Sequence, residues 1–155
     1  MARHRVVITA GCVRCGGQHG KPTAAVAGAS TAPLAVDISH ADGVTVAGAS
    51  FATALGIDIE ADRDEVPEGL SLLDPSVFTG PTAHVRDWTR VEAVLKADGR
   101  GLTVDPGSVR LDRSGDRLKA VIRDSEHRYT VIDPPIIQGY AVSIAFRGNP
   151  RASDR

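Results

Sequence analysis

Two acidic motifs limit most sharply what this chain can fold into: Gly56-Ile57-Asp58-Ile59-Glu60 and Trp88-Thr89-Arg90-Val91-Glu92-Ala93-Val94-Leu95-Lys96. In the first, apolar Leu55, Ile57 and Ile59 alternate with the carboxylates, which is the period of a β-strand. Side chains two apart on a strand share a face, so Asp58 and Glu60 project together. In the second, Val91, Val94 and Leu95 fall at i, i+3, i+4, the spacing of a helix buried on one side. Glu92 and Lys96 are then one turn apart on one helical face. A fold that brings the two faces together collects three carboxylates and one ammonium. Three like charges repel unless a cation lies among them, and carboxylate oxygens suit Mg²⁺, which keeps water and phosphate oxygens in its shell. The expected metal ligands are Asp58, Glu60 and Glu92, and the expected chemistry acts on a phosphate compound.

The rest of the chain reads mostly as strands. Residues 5–10, 34–38 and 43–50 carry strand patterns, and 51–55 lead into the acidic strand. Residues 11–23 form a turn-rich loop, and 24–33 are small and loosely patterned. Residues 62–84 are a polar connector bearing Pro and Gly. The helix beginning at Trp88 stops at Asp98-Gly99, because glycine accepts the backbone conformation that ends a helix. Residues 109–111, 118–122, 129–132 and 140–146 then predict antiparallel strands, with a turn at Ser114-Gly115-Asp116 and a frayed tail over 148–155. The fold class is α+β.

Composition narrows the function without naming it. A chain of 155 residues is one domain or two small halves with a real core. A net charge of -1 and the lack of a basic stripe argue against nucleic acid. The chain has no apolar run of membrane-spanning length, and Met1-Ala2-Arg3-His4-Arg5 lacks a signal-peptide core, so a cytoplasmic location is expected. Arginine is plentiful, whereas the lysines are Lys21, Lys96 and Lys119 alone. A compact ammonium on a flexible stem suits phosphate contact.

At these motifs the chain resembles the 4'-phosphopantetheinyl transferases of the Sfp type. That family pairs a Gly-(Val/Ile)-Asp-(Ile/Val)-Glu strand with a Trp-x-x-x-Glu-Ala-x-x-Lys helix and a Gly-x-Gly-Leu loop, here Gly99-Arg100-Gly101-Leu102. Its Leu-Ser-His element looks like Ile38-Ser39-His40, and its Gly-Lys-Pro element like Gly20-Lys21-Pro22. The stretch from Pro134 to Val142 is similar to the family's closing strand. All four elements come in the family's order, within residues 20–102.

The resemblance implies two similar α/β halves related by a pseudo-twofold axis, with residues 1–60 as a shortened first half and 61–155 as the second. It implies coenzyme A bound between the halves, and transfer of its phosphopantetheine arm to a serine of an acyl or peptidyl carrier protein. Mg²⁺ on Asp58, Glu60 and Glu92 would sit at the pyrophosphate. Glu92 would accept the serine proton, directly or through water, and Lys96 would stabilise phosphate oxygens. Lys21, Ser39 and His40 would hold the nucleotide phosphates. The leader before Gly20 and the connector after Glu60 are shorter than the family pattern, which bears on nucleotide affinity and carrier choice. A second copy of the chain, as a homodimer, is a plausible replacement for the leader.

Each residue also has a plainer reading. Asp58 and Glu60 suit a solvated strand edge, Glu92 and Lys96 an ordinary surface pair, Lys21 a loop charge, and Ser39-His40 a turn. Without a Gly-x-Ser-x-Gly elbow the serine carries no hydrolase argument. Two rival functions stay open: a degenerate relative that binds coenzyme A or a carrier protein without catalysis, and a Mg²⁺ phosphohydrolase on an unrelated fold. Cys12-Val13-Arg14-Cys15 has the spacing of a zinc knuckle or a redox pair, with His19 and His4 as further candidates. We expect reduced thiols in a tight turn that positions Lys21, with bound metal as the alternative. His84 and His127 are expected at the surface.

Overall fold

The computed structural model describes residues 5–12, 14–18, 20–27, 34–62, 72–73, 85–114, 117–135 and 137–147. The chain is α+β: two antiparallel sheets and, among the described residues, one main helix. The first sheet holds β1 (Val6–Thr9), β2 (Thr23–Val26), β3 (Leu34–Ala41) and β4 (Val44–Ser50) in sequence order. The second holds β5 (Ala54–Ala61), β6 (Val109–Ser114), β7 (Arg117–Ile122), β8 (Arg128–Ile132) and β9 (Tyr140–Arg147) in the order β5-β9-β8-β7-β6. The helix, α1, spans Val85–Asp98, and two short 3-10 turns follow it at Gly101–Thr103 and Pro106–Ser108.

The main core lies between α1 and the second sheet. Val91, Ala93, Val94, Leu95 and Ala97 of α1 pack on Val109, Leu118, Ala120, Ile122, Tyr129, Val131 and Ala145. The alternation read in the sequence decides which face of β5 meets the helix. Gly56 faces α1 so closely that a Cβ there would lie 2.0 Å from the Ala93 carbonyl oxygen and 2.4 Å from the Ala97 nitrogen. Leu55, Ile57 and Ile59 point the other way and are buried, with the Leu55 and Ile57 side chains against Gly48 of β4. Strand β5 is thus covered on both sides, by α1 and by the β3–β4 hairpin.

Several elements differ from the sequence expectation. The acidic strand, assigned to the first half, pairs along its full length with β9 from Ala54↔Arg147 to Ala61↔Tyr140. The division between sheets falls at residues 51–53. Among the described residues the first sheet has four strands, and the second has five with α1 packed on it. Strand β2 lies at the start of the loosely patterned 24–33 stretch, with Thr23 the last residue of the expected loop, because Thr-Ala-Ala-Val carries too little apolar contrast to show a period. Strand β3 runs on through Ser39 and His40, and α1 begins at Val85, one turn earlier than Trp88. The helix does end as expected, with Gly99 at φ +90 and its N–H bonded to the Leu95 carbonyl. Except for Asp62, Leu72 and Leu73, the 62–84 connector lies outside the described residues, as do the 148–155 tail and His4, His19 and His84. His127 is exposed, as expected. No described helix is long and apolar enough to cross a membrane.

Candidate metal centre

The site grows out of a sheet edge that no described strand covers. β9 bonds one edge of β5; on the other, three backbone groups are satisfied by side chains. The Leu55 carbonyl accepts from Lys21 Nζ at 2.7 Å, the Ile57 N–H donates to Asp37 Oδ2 at 2.6 Å, and the Ile57 carbonyl accepts from Lys96 Nζ at 3.1 Å. Buried backbone groups without partners are costly, so these three side chains couple β3, the Lys21 loop and α1 to the strand.

Lys96 uses all three of its protons. It donates to Asp58 Oδ1 at 2.6 Å and Ser39 Oγ at 3.0 Å as well as to Ile57. Ser39 donates in turn to Asp58 Oδ1 at 3.2 Å. Asp58 is 4 % exposed, and its second oxygen, Oδ2, is buried with no hydrogen-bond partner. An orphaned buried carboxylate oxygen is rare and calls for an explanation, of which an ion is one.

Glu60 and Glu92 flank this group on the helix-facing side of β5 and on α1. Neither makes a hydrogen bond or ion pair among the described residues, so Lys96 turns to Asp58 rather than to Glu92. Burial, then the charge of Asp58, pushes the Glu60 and Glu92 carboxyls above the ordinary range, with Lys96 opposing. Asp58 is also raised, by burial first, against the pull of Lys96 and Ser39. The carboxylates therefore feel one another. Even so, no three His, Cys, Asp or Glu side chains among the described residues form a ready-made metal cage. Carboxylate oxygens are the donor type that suits a hard divalent cation, and Asp58 Oδ2, Glu60 and Glu92 have no hydrogen-bond or ion-pair partner among the described residues.

The other expected site residues divide. Ser39, 6 % exposed, belongs to the cluster. His40, next in the strand, falls on the opposite face of β3 and is exposed, so the two are not brought together. Lys21 is turned inward: besides Leu55 it bonds the Lys96 carbonyl in the last turn of α1, and it lies 3.9 Å from Asp37 Oδ1. It therefore caps the helix end. Burial holds its ammonium below the ordinary range, against the pull of Asp37. Trp88 packs partly buried on the core, and Leu102 is exposed.

Two features escaped the sequence reading. Asp37, 5 % exposed, shares a β3 face with Ser39, and that i, i+2 spacing was its only signal. Arg90 is buried among carboxylates, with Nη1 2.9 Å from Asp87 Oδ1 and Nη2 2.7 Å from Asp133 Oδ2. Ser143 extends the network, donating to Asp133 at 2.8 Å and touching the Thr89 hydroxyl at 2.9 Å. It ties the first half of α1 to β9, while Lys21 and Lys96 tie the second half to β5. The i, i+3 spacing of Asp87 and Arg90 was visible in the sequence, but its burial was not.

Fold and site together define an α+β protein with an acidic cluster between a strand and a helix, partly neutralised by one ammonium. Neither the models of known protein families nor the curated proteins include a match to the chain.

Proposed function

We propose that the protein is a Mg²⁺-dependent transferase moving the phosphopantetheine arm of coenzyme A to a serine of an acyl or peptidyl carrier protein, in a cytoplasmic setting and on a 4'-phosphopantetheinyl transferase-like fold. The observation that carries the proposal is the buried Asp58 Oδ2, without a hydrogen-bond partner, on a carboxylate whose charge acts on Glu60 and Glu92. Asp58, Glu60 and Glu92 would hold the ion. When bound, Mg²⁺ supplies positive charge against the pyrophosphate oxygens as the anhydride bond breaks. Ser39 and Lys96 fix the orientation of the Asp58 carboxylate from the side away from Oδ2. Glu92, its carboxyl raised by burial and by Asp58, has the character of a base for the serine proton.

A second reading, a relative that binds coenzyme A or a carrier without catalysis, is favoured by the lysines. Lys21 and Lys96 are engaged with protein acceptors, and His40 lies on the other face of β3. Mass spectrometry of an apo carrier protein incubated with this protein, coenzyme A and Mg²⁺ separates the two. A gain of one phosphopantetheine arm supports the transferase, and its loss in both Glu60→Gln and Glu92→Gln supports the assigned roles. Coenzyme A binding with no mass gain on fatty-acid, polyketide and peptide carriers moves the conclusion to the binding module.

A further inference from the structure

The loop between β1 and β2 carries the only two cysteines of the chain, and neither is in a disulfide. Two backbone bonds shape the turn that holds them: Cys12 N–H to the Gly17 carbonyl and Gly16 N–H to the Cys12 carbonyl, each 2.7 Å. Gly16 sits at φ +73, a conformation that glycine enters without strain. The neck of the loop is tight as well. Gly20 N–H bonds the Ala10 carbonyl at 2.7 Å, and a Cβ on Gly20 would lie 2.3 Å from the Gly11 oxygen. Within the turn, the Cys12 sulfur accepts the backbone N–H groups of Arg14 and Cys15 and is in hydrogen-bond contact with the Cys15 thiol. Cys15 is exposed and Cys12 half-buried, and neither belongs to the apolar core. Thiols that merely fill space are buried.

We propose that Cys12 and Cys15 form a covalent modification site, a vicinal dithiol that reduces a low-molecular-weight disulfide such as glutathione disulfide and closes into an intramolecular disulfide. Cys12 is the attacking sulfur, because the two N–H groups aimed at it stabilise a thiolate; they hold its thiol below the ordinary range. Its thiolate attacks one sulfur of the oxidant, the S–S bond breaks, and one glutathione leaves and takes a proton from solvent. The Cys15 thiol then gives up its proton and attacks the Cys12 sulfur, releasing the second glutathione. Two electrons pass from the dithiol to the oxidant, leaving one protein disulfide and two glutathione thiols. Both thiols stand in one turn held by the Cys12–Gly17 and Gly16–Cys12 backbone bonds, so closure joins two sulfurs of the same turn. The inference is independent of the proposed transferase.

The experiment treats the full chain with oxidised glutathione, blocks remaining thiols with an alkylating agent, and weighs intact protein and peptides. The expected result is loss of both alkylation sites in the monomer, a mass two hydrogens lighter, and no lasting glutathione adduct. Cys15→Ser should stop at one glutathionyl group on Cys12, and Cys12→Ser should lose the intramolecular product and react more slowly. The proposal is overturned if the unaltered chain accumulates the mixed disulfide, if it links between chains, or if both single variants react at equal rates. It is also overturned if the isolated protein carries stoichiometric zinc that protects both thiols.

Discussion

Lys21→Met separates a structural lysine from a nucleotide-binding one. In the structure the Lys21 ammonium caps the Leu55 carbonyl at 2.7 Å and the Lys96 carbonyl, and it is the nearer counter-ion of Asp37 at 3.9 Å. Hydrogen bonds to a charged group contribute about 1.5–3 kcal/mol each, and methionine can replace neither. Asp37 is 5 % exposed and would keep its bond from Ile57 while losing a cation. Lys21 is 32 % exposed in its side chain, so water recovers part of each loss. Taking the low end for both bonds and about 1 kcal/mol for the ion pair, the variant loses about 4 kcal/mol. For a chain of this size about 2–4 °C accompanies each kcal/mol, so the melting temperature should fall by about 8–16 °C. The assay is thermal unfolding followed by circular dichroism, without metal or nucleotide. Adding Asp37→Asn should return about 1 kcal/mol by removing the stranded charge. A Lys21→Met protein that melts within 1–2 °C of the parent, yet binds coenzyme A more weakly, would refute the capping argument and restore Lys21 to the nucleotide site.

Further outcomes follow from the same structure. Arg90→Leu removes the buried guanidinium that bridges Asp87, which is 0 % exposed, and Asp133, so it should cost about 3–5 kcal/mol in urea unfolding; a loss below about 1 kcal/mol would mean the bridge is dispensable. The pH dependence comes from Asp58, Glu60 and Glu92, all raised in the folded state. Between the unfolded carboxylate range, near pH 4, and their folded values the native state holds more protons, so metal-free stability should fall as pH rises through that window. Saturating Mg²⁺ should flatten the slope, and identical slopes with and without it would remove these carboxylates as its ligands.

How much was legible depends on how local the signal was. The β5 alternation, the helical spacing of Val91, Val94 and Leu95 and the Gly99 stop lie within single elements, and each appears in the structure. What links elements left no such trace. Nothing in residues 54–61 says that β5 joins β9 rather than the preceding hairpin, because antiparallel partners are chosen by side-chain packing across the sheet. The inward turn of Lys21 depends on unpaired carbonyls at Leu55 and Lys96, thirty-four and seventy-five positions away. Ser39 and His40, taken together from one family-like element, show the same limit: a strand sends neighbours to opposite faces, and only Ser39 reaches the cluster.

The structural and chemical readings of the cluster divide its residues. Closing the edge of β5 accounts for Lys21, Asp37, Lys96 and Ser39, and for one oxygen of Asp58. It accounts for neither Glu60 nor Glu92, which pair with nothing described, nor for Asp58 Oδ2. If packing alone mattered, neutral residues at 60 and 92 would serve the fold better, since both carboxylates are partly buried beside Asp58. Sites that give up stability for function behave in this way, and neutralising them commonly returns about 0.5–2 kcal/mol. Glu60→Gln/Glu92→Gln should therefore melt higher than the parent without metal, and should lack the upward shift that the proposed Mg²⁺ site predicts for the parent. Thermal melts of both proteins, with and without the ion, measure both terms at once. A double variant that is less stable without metal, yet gains as much from Mg²⁺ as the parent, would show that the glutamates serve the fold and that the ion binds elsewhere.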